Sequence, residues 1–143
     1  MKTLFCTIAL ILLVSLSFSQ TQESLKKRIQ EHYKAIHAKN TEALWSHHLE
    51  EFTMFPYNGH ALYESGFKKT HKDMGTTLKL PSPNVVMKHF NSQIYNNVGI
   101  ATFYLDGSYD GNITFGLYRV TAVWVWENGV WKEAHHHESK LEY

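Results

Sequence analysis

The densest chemistry in the chain is the run His135-His136-His137, with Glu133 just before it and Ser139 just after. The run sits in a β-rich stretch, where successive side chains point to opposite faces. Unbroken alternation puts His135 and His137 on one face with Trp131, Glu133 and Ser139, and turns His136 to the other. Two imidazoles at that spacing suit three tasks. They serve as hydrogen-bonded framework lining a pocket, they act as a base and its neighbour, or they bind one metal ion. A metal site needs three or four ligands. The others would come from Glu133 or from the distant His47, His48, His60, His71 or His89, and the spacing selects none of them. No metal and no cofactor is therefore expected, and His135 and His137 stand as the candidates for acid–base work. Other chemistries lack their motifs. Gly107-Ser108-Tyr109-Asp110-Gly111 lies between strands rather than before a helix, so it is a hairpin and not a phosphate loop. No serine occupies a nucleophile elbow.

The elements that must position these groups follow from periodicity. Leu25, Ile29, Tyr33 and Ile36 recur at helical spacing among Lys, Arg, Gln and Glu, which predicts an amphipathic helix ending near Asn40, with Thr21 or Ser24 as its cap. Thr41 reads as the N-cap of a short second helix that turns Leu44, Trp45 and His48 inward. Phe52-Thr53-Met54-Phe55 is a short strand closed by the turn Pro56-Tyr57-Asn58-Gly59. Residues 61–74 pattern as a further helix burying Leu62, Phe67 and Met74. Strands follow from Val85, from Val98 to Leu105, from Ile113 to Trp126 and from Val130 to Leu141. Asn128-Gly129 between two β-rich runs is a strong hairpin signal. Helices first and an antiparallel meander after them define an α+β fold.

The ends and the charge set further bounds. Lys2, the apolar run Leu4–Leu16 and Ser17-Phe18-Ser19 form a secretory signal with Gln20 as the mature N-terminus. The run is short of the roughly 20 residues a membrane span requires. Residues 1–19 are thus expected to be removed, leaving one domain over 20–143, exported to the periplasm or the medium and free of the membrane. Cys6 is the only cysteine and leaves with the signal, so no disulfide, thiolate site or cysteine nucleophile remains. The remainder carries thirteen basic and thirteen acidic residues, which gives no footprint for nucleic acid.

Val123-Trp124, Asn128-Gly129, Trp131, His135, His137 and Ser139 together resemble the end of SnoaL-like domains and of the association domain of calcium/calmodulin-dependent kinase. Both belong to the nuclear-transport-factor-2-like superfamily. The front half is similar as well, with a first helix, Lys39-Asn40-Thr41, a short helix and then Phe52-Thr53-Met54-Phe55. The resemblance implies helices packed in the concave face of a curved antiparallel sheet (a cystatin-like cone), a conical pocket, and a homodimer through the sheet. Ketosteroid isomerase shares that fold. Its donor tyrosine corresponds within one residue to Tyr33, but the position of its base falls at Phe55 or Pro56, where there is no carboxylate. Limonene-epoxide-hydrolase-like members use an Asp–Arg–Asp group, for which Asp106 and Arg119 are the nearest counterparts. Asp106 precedes Gly107 and reads first as a turn residue.

Trp124 and Trp126 share a face with Tyr118, Val120 and Ala122. The kinase association domain has pocket arginines at the positions of Ala122 and Tyr104, so the resemblance implies a less cationic, more aromatic pocket here. Trp124, Tyr104, Tyr118 and Phe55 would line it, and Tyr57, His60 and Tyr63 would rim its mouth. Such a pocket suits a small apolar or aromatic molecule. Three functions follow: a SnoaL-like ligand-binding domain; a lyase, isomerase or hydrolase with His135 or His137 as base and Tyr33 or Tyr104 as donor; or a homo-oligomeric assembly domain.

Overall fold

Helix α1 spans Gln22–His37. Its start is a reciprocal cap: the Thr21 hydroxyl accepts from the Ser24 N–H and the Ser24 hydroxyl accepts from the Thr21 N–H, each at 3.1 Å. The computed structural model describes residues 20–56, 62–64, 83–109 and 113–141. The expected signal at 1–19, the turn at Tyr57–Gly59 and most of the helix expected over 61–74 lie outside the described residues. Tyr57 and His60 lie there too.

The short helix α2, Thr41–Ser46, is capped by the Asn40 side chain, which accepts from the Ala43 N–H at 3.0 Å. Asn40, not Thr41, is therefore the N-cap. The change of direction between the helices falls at Lys39, whose φ is 54°. His48 does not lie on α2. It opens strand β1, His48–Phe55, although its side chain is buried as expected.

Among the described residues four more strands join the sheet: β2 Pro83–Tyr95, β3 Val98–Tyr109, β4 Ile113–Glu127 and β5 Val130–Lys140. Their order in space is β1-β5-β4-β3-β2. The meander β2 to β5 is antiparallel, whereas β1 pairs with β5 in parallel, so the sheet is mixed. The β4–β5 hairpin turns at Asn128 and Gly129, with φ of 52° and 81°. Both left-handed values fit the tight turn that matches strand twist.

The core forms where α1 crosses the sheet. Leu25 and Ile29 pack against Ala101, Phe103, Tyr118, Val120, Trp124 and Trp131. Gly99 permits the close approach: a Cβ there would lie 2.6 Å from Leu25 Cδ2 and 3.3 Å from Trp131 Cζ3. Polar contacts fix the helix's rotation. The Trp131 indole N–H donates to Ser24 Oγ at 3.0 Å, and Arg28 Nε donates to the Trp131 carbonyl at 3.1 Å.

One irregularity in β5 decides what the core contains. Trp124 pairs with Glu133, but the adjacent Val123 pairs with His135, which leaves Ala134 as an extra residue. This is a β-bulge. Before it, Trp131 and Glu133 point toward α1; after it, His136 is the buried residue and His137 is exposed. The expected grouping of His135 and His137 with Trp131 and Glu133 is thereby corrected. Unbroken alternation fails at Ala134, so Glu133 and His136 share the inner face.

Candidate functional site

Five histidine and glutamate side chains meet beneath α1. His32 comes from α1, His47 and His48 from the α2–β1 junction, and Glu133 and His136 from β5 on either side of the bulge. All are at most 5 % exposed, and Glu133 is 1 % exposed. Backbone pairing brings the pieces into register. The Glu133 N–H donates to the His47 carbonyl at 2.7 Å, and His48 is Glu133's partner across the parallel ladder.

The two oxygens of Glu133 have different surroundings. Oε1 lies 2.7 Å from His136 Nδ1, while His136 Nε2 lies 3.0 Å from Glu138 Oε1. Both carboxylates accept from the one ring, so His136 is an imidazolium bridging them. Burial alone would push His136 down, but the Glu133 charge, its hydrogen bond and then Glu138 outweigh this and raise it to about 10. Likewise burial pushes the Glu133 carboxyl up, yet His136 and the close approach of His48 hold it well below the usual carboxylate range.

Glu133 Oε2 lies 3.2 Å from His48 Nε2 and 4.0 Å from His32 Nδ1, without a well-formed hydrogen bond to either. His48 Nδ1 donates to the Leu44 carbonyl at 2.9 Å, which leaves Nε2 to face the carboxylate. His32 is held well below the ordinary imidazole value, chiefly by burial, with Glu133 opposing. His47 is lowered to about 4 by burial and then by the Arg28 charge. His32, His48 and Glu133 each offer one donor atom, and the three atoms lie within 4.8 Å of one another. Chemically the cluster can hold a proton tightly or hold a cation.

The residues singled out from the sequence fall in three places. Trp124 and Tyr118 are buried in the core, Trp124 edge-on to His32 at 6.0 Å between ring centroids. Tyr33 is half-buried on the same side, edge-on to His32 at 5.2 Å and to Phe103 at 5.9 Å. The face of the sheet turned away from α1 carries the rest. There His135 Nδ1 lies 2.7 Å from Thr53 Oγ1, and Phe55 packs edge-on against His135 and His137 at 5.9 and 5.6 Å. Burial, then the neighbouring His136 charge, lowers His135. Tyr104 also lies on that face, half-buried and edge-on to His89. Asp106 pairs with Lys88 across β2–β3, while Arg119 is an exposed partner of Tyr104 across β3–β4. The sheet therefore separates Tyr33 from His135 and His137.

His32 is the residue sequence reasoning missed. It stands seven residues after Leu25 and three after Ile29, on the buried stripe, where an imidazole among apolar neighbours is itself a signal.

Beside this cluster a groove of about 900 Å³ runs between α1 and β2. Tyr33, Met87 and Phe90 supply apolar lining, Lys26, Lys27 and Lys34 supply positive charge, and Glu31 supplies one carboxylate. Lys26 Nζ sits 5.7 Å from the Phe90 ring centroid. Among the described residues no helix is long and apolar enough to cross a membrane.

This architecture is the nuclear-transport-factor-2-like, cystatin-like fold, as known structures bear out. A candidate dehydratase of the NTF2-like family from Streptomyces avermitilis superposes with a TM-score of 0.73, at 14 % identity over 85 % of this chain and 96 % of that one. A candidate calcium/calmodulin-dependent kinase II association domain from Exiguobacterium sibiricum gives 0.69, at 16 % identity over 87 % and 96 %. A candidate ketosteroid isomerase from Parabacteroides distasonis gives 0.63, at 17 % identity over 80 % and 85 %. No protein-family model and no curated protein matches the sequence.

Proposed function

We propose that this chain is an exported small-molecule-binding domain of the SnoaL-like kind, acting as a homodimer, whose ligand occupies the groove between α1 and β2. The observation that supports it is the groove's lining: apolar and aromatic side chains from both elements, bordered by three lysines against one carboxylate, Glu31. That combination suits an amphipathic anion, such as an aromatic or aliphatic carboxylate, rather than a purely apolar molecule. The apolar leader and small-residue cleavage signal support export. The test is calorimetric titration with paired carboxylates and neutral analogues. Carboxylates should bind more tightly, with affinity falling as salt rises and falling again in Lys27→Ala/Lys34→Ala. Equal affinity for acid and neutral analogue, unaffected by salt, would reject the groove as the site.

A second reading is a lyase or isomerase, as the names of the dehydratase and ketosteroid-isomerase neighbours suggest. One observation favours it: Tyr33 lines the groove and also touches His32, so the buried cluster abuts the groove's floor. Turnover of a bound ligand that disappears in Tyr33→Phe would support catalysis. Binding without turnover leaves the binding-domain reading standing.

A further inference from the structure

We propose that His32, His48 and Glu133 form a binding site for one divalent transition-metal ion, zinc being the ion best suited to the donors. The inference goes beyond ligand binding in the groove and does not depend on it.

The donor set is two imidazoles and one carboxylate, a combination that zinc and its first-row neighbours favour. It is assembled from three elements: α1, the start of β1, and β5. The three donor atoms lie within 4.8 Å of one another, with Glu133 Oε2 at 3.2 Å from His48 Nε2 and 4.0 Å from His32 Nδ1. Donors bound to one ion at ~2.0–2.2 Å stand ~3.3–3.6 Å apart in tetrahedral geometry. Of the two carboxylate–imidazole pairs, the nearer already stands close to that spacing and the farther has to close by about half an ångström, while the His32–His48 pair, within 4.8 Å, has to close by no more than about 1.5 Å.

Two further observations point to a cation. His32 Nδ1 is a buried polar atom with no hydrogen-bond partner among the described residues, and Glu133 Oε2 is buried with only the 3.2 Å approach of His48 Nε2; both face the same small volume. Leaving such atoms unpaired is costly, so native interiors rarely do it. The supporting contacts are also those a metal site needs. The His48 Nδ1–H is fixed on the Leu44 carbonyl, which sets the tautomer and aims Nε2 inward. Glu133's other oxygen is anchored by His136, which orients Oε2. Three protein ligands leave at least one position for water or a ligand atom, as in catalytic rather than closed structural sites. His136 is a positioning residue here, since it touches Glu133 and not the ion. The alternative occupant of the space between His48 and Glu133 is a shared proton, and the experiment separates the two.

The purified protein, stripped with chelator, is titrated with Zn2+ by calorimetry and with Co2+ by visible absorption. One ion per chain should bind, and Co2+ should give a ligand-field band typical of low coordination number. Glu133→Gln and His32→Leu, each confirmed as folded by circular dichroism, should weaken binding by about 100-fold or more. His137→Ala, on the opposite face of the sheet, should bind as the wild type does. Absence of stoichiometric binding by the folded wild type would overturn the proposal. So would a loss of binding in His137→Ala with none in His32→Leu, which would place the ion on the outer histidines. Should Glu133→Gln fail to fold, His32→Leu and the Co2+ spectrum of the wild type decide the matter.

Discussion

Replacing Glu133 with Gln tests how the interior is held together. The substitution preserves shape and leaves a side-chain oxygen able to accept from His136 Nδ1, now 2.7 Å from Glu133 Oε1. Only the negative charge goes. Removing one partner of a buried ion pair costs about 3–5 kcal/mol, because the other charge is stranded. Here the stranding is incomplete, since His136 still donates to Glu138 at 3.0 Å. A loss of about 2–3 kcal/mol is therefore expected at pH 7. The assay is urea unfolding followed by circular dichroism, with chelator present so that no metal contributes. His136→Asn and the double variant complete a cycle. The two residues touch, so their effects should fall short of additivity by more than about 1 kcal/mol. A loss below about 1 kcal/mol, or strict additivity, would refute the ion pair as the centre of the cluster.

Three more outcomes follow from the same geometry. In chelator, stability should peak near the ordinary imidazole value. Above it His136 keeps its proton in the folded chain up to about 10 while the unfolded chain loses it. Stability then falls by about 1.4 kcal/mol per pH unit from this group. His136→Asn should flatten that alkaline limb, and an unchanged limb in a denaturation series across pH rejects the imidazolium. On the acid side the sign reverses: His47, lowered to about 4, and His32 stay neutral when folded but take up protons when unfolded, so stability falls as pH falls. Gly99→Ala should destabilise by about 1–3 kcal/mol, because the new Cβ meets Leu25 at the point where α1 crosses the sheet. An unchanged urea midpoint would mean the helix shifts freely. Asn128→Ala should cost about 1 kcal/mol through the left-handed φ of the hairpin, read the same way, with no loss if the turn changes type.

Much of the fold was legible because local chemistry agreed with the tertiary answer. The stripe Leu25–Ile29, the Asn128-Gly129 turn and the long β runs each specify one conformation without help from elsewhere. The parallel pairing of β1 on β5 was not legible, because it joins residues over eighty positions apart in the chain and leaves no local mark. Nor was the inner face of β5. The sequence Glu-Ala-His-His-His reads equally well as a regular strand, and only pairing with β4 makes Ala134 the extra residue. A one-residue irregularity exchanges every face beyond it. That is why His135 and His137 drew attention while His136 carries the interior charge. His48 was expected to be buried, but its acidic partner could not be named before the register was known.

The bulge also explains how a strand can hold this chemistry. Glu133 and His136 are three apart, and in a regular strand they would point to opposite faces. In an unbroken strand His135 and His137 would share Glu133's face instead, and His136 would turn outward. With Ala134 looped out, Glu133, His136 and Glu138 fall on one side, His136 bridging the carboxylates, while His135 and His137 turn away beside Phe55. An extra residue therefore places one imidazole between two carboxylates and keeps two more outside. Deleting Ala134 offers a direct probe of this logic. The pairs Trp124–Glu133 and Val123–His135 are already those of an uninterrupted ladder, so the deletion should keep every face and alter only the local twist. Retention of the alkaline limb in the deletion variant is expected. Its loss would mean that the bulge supplies the curvature that brings His136 to Glu133, and not merely the spacing.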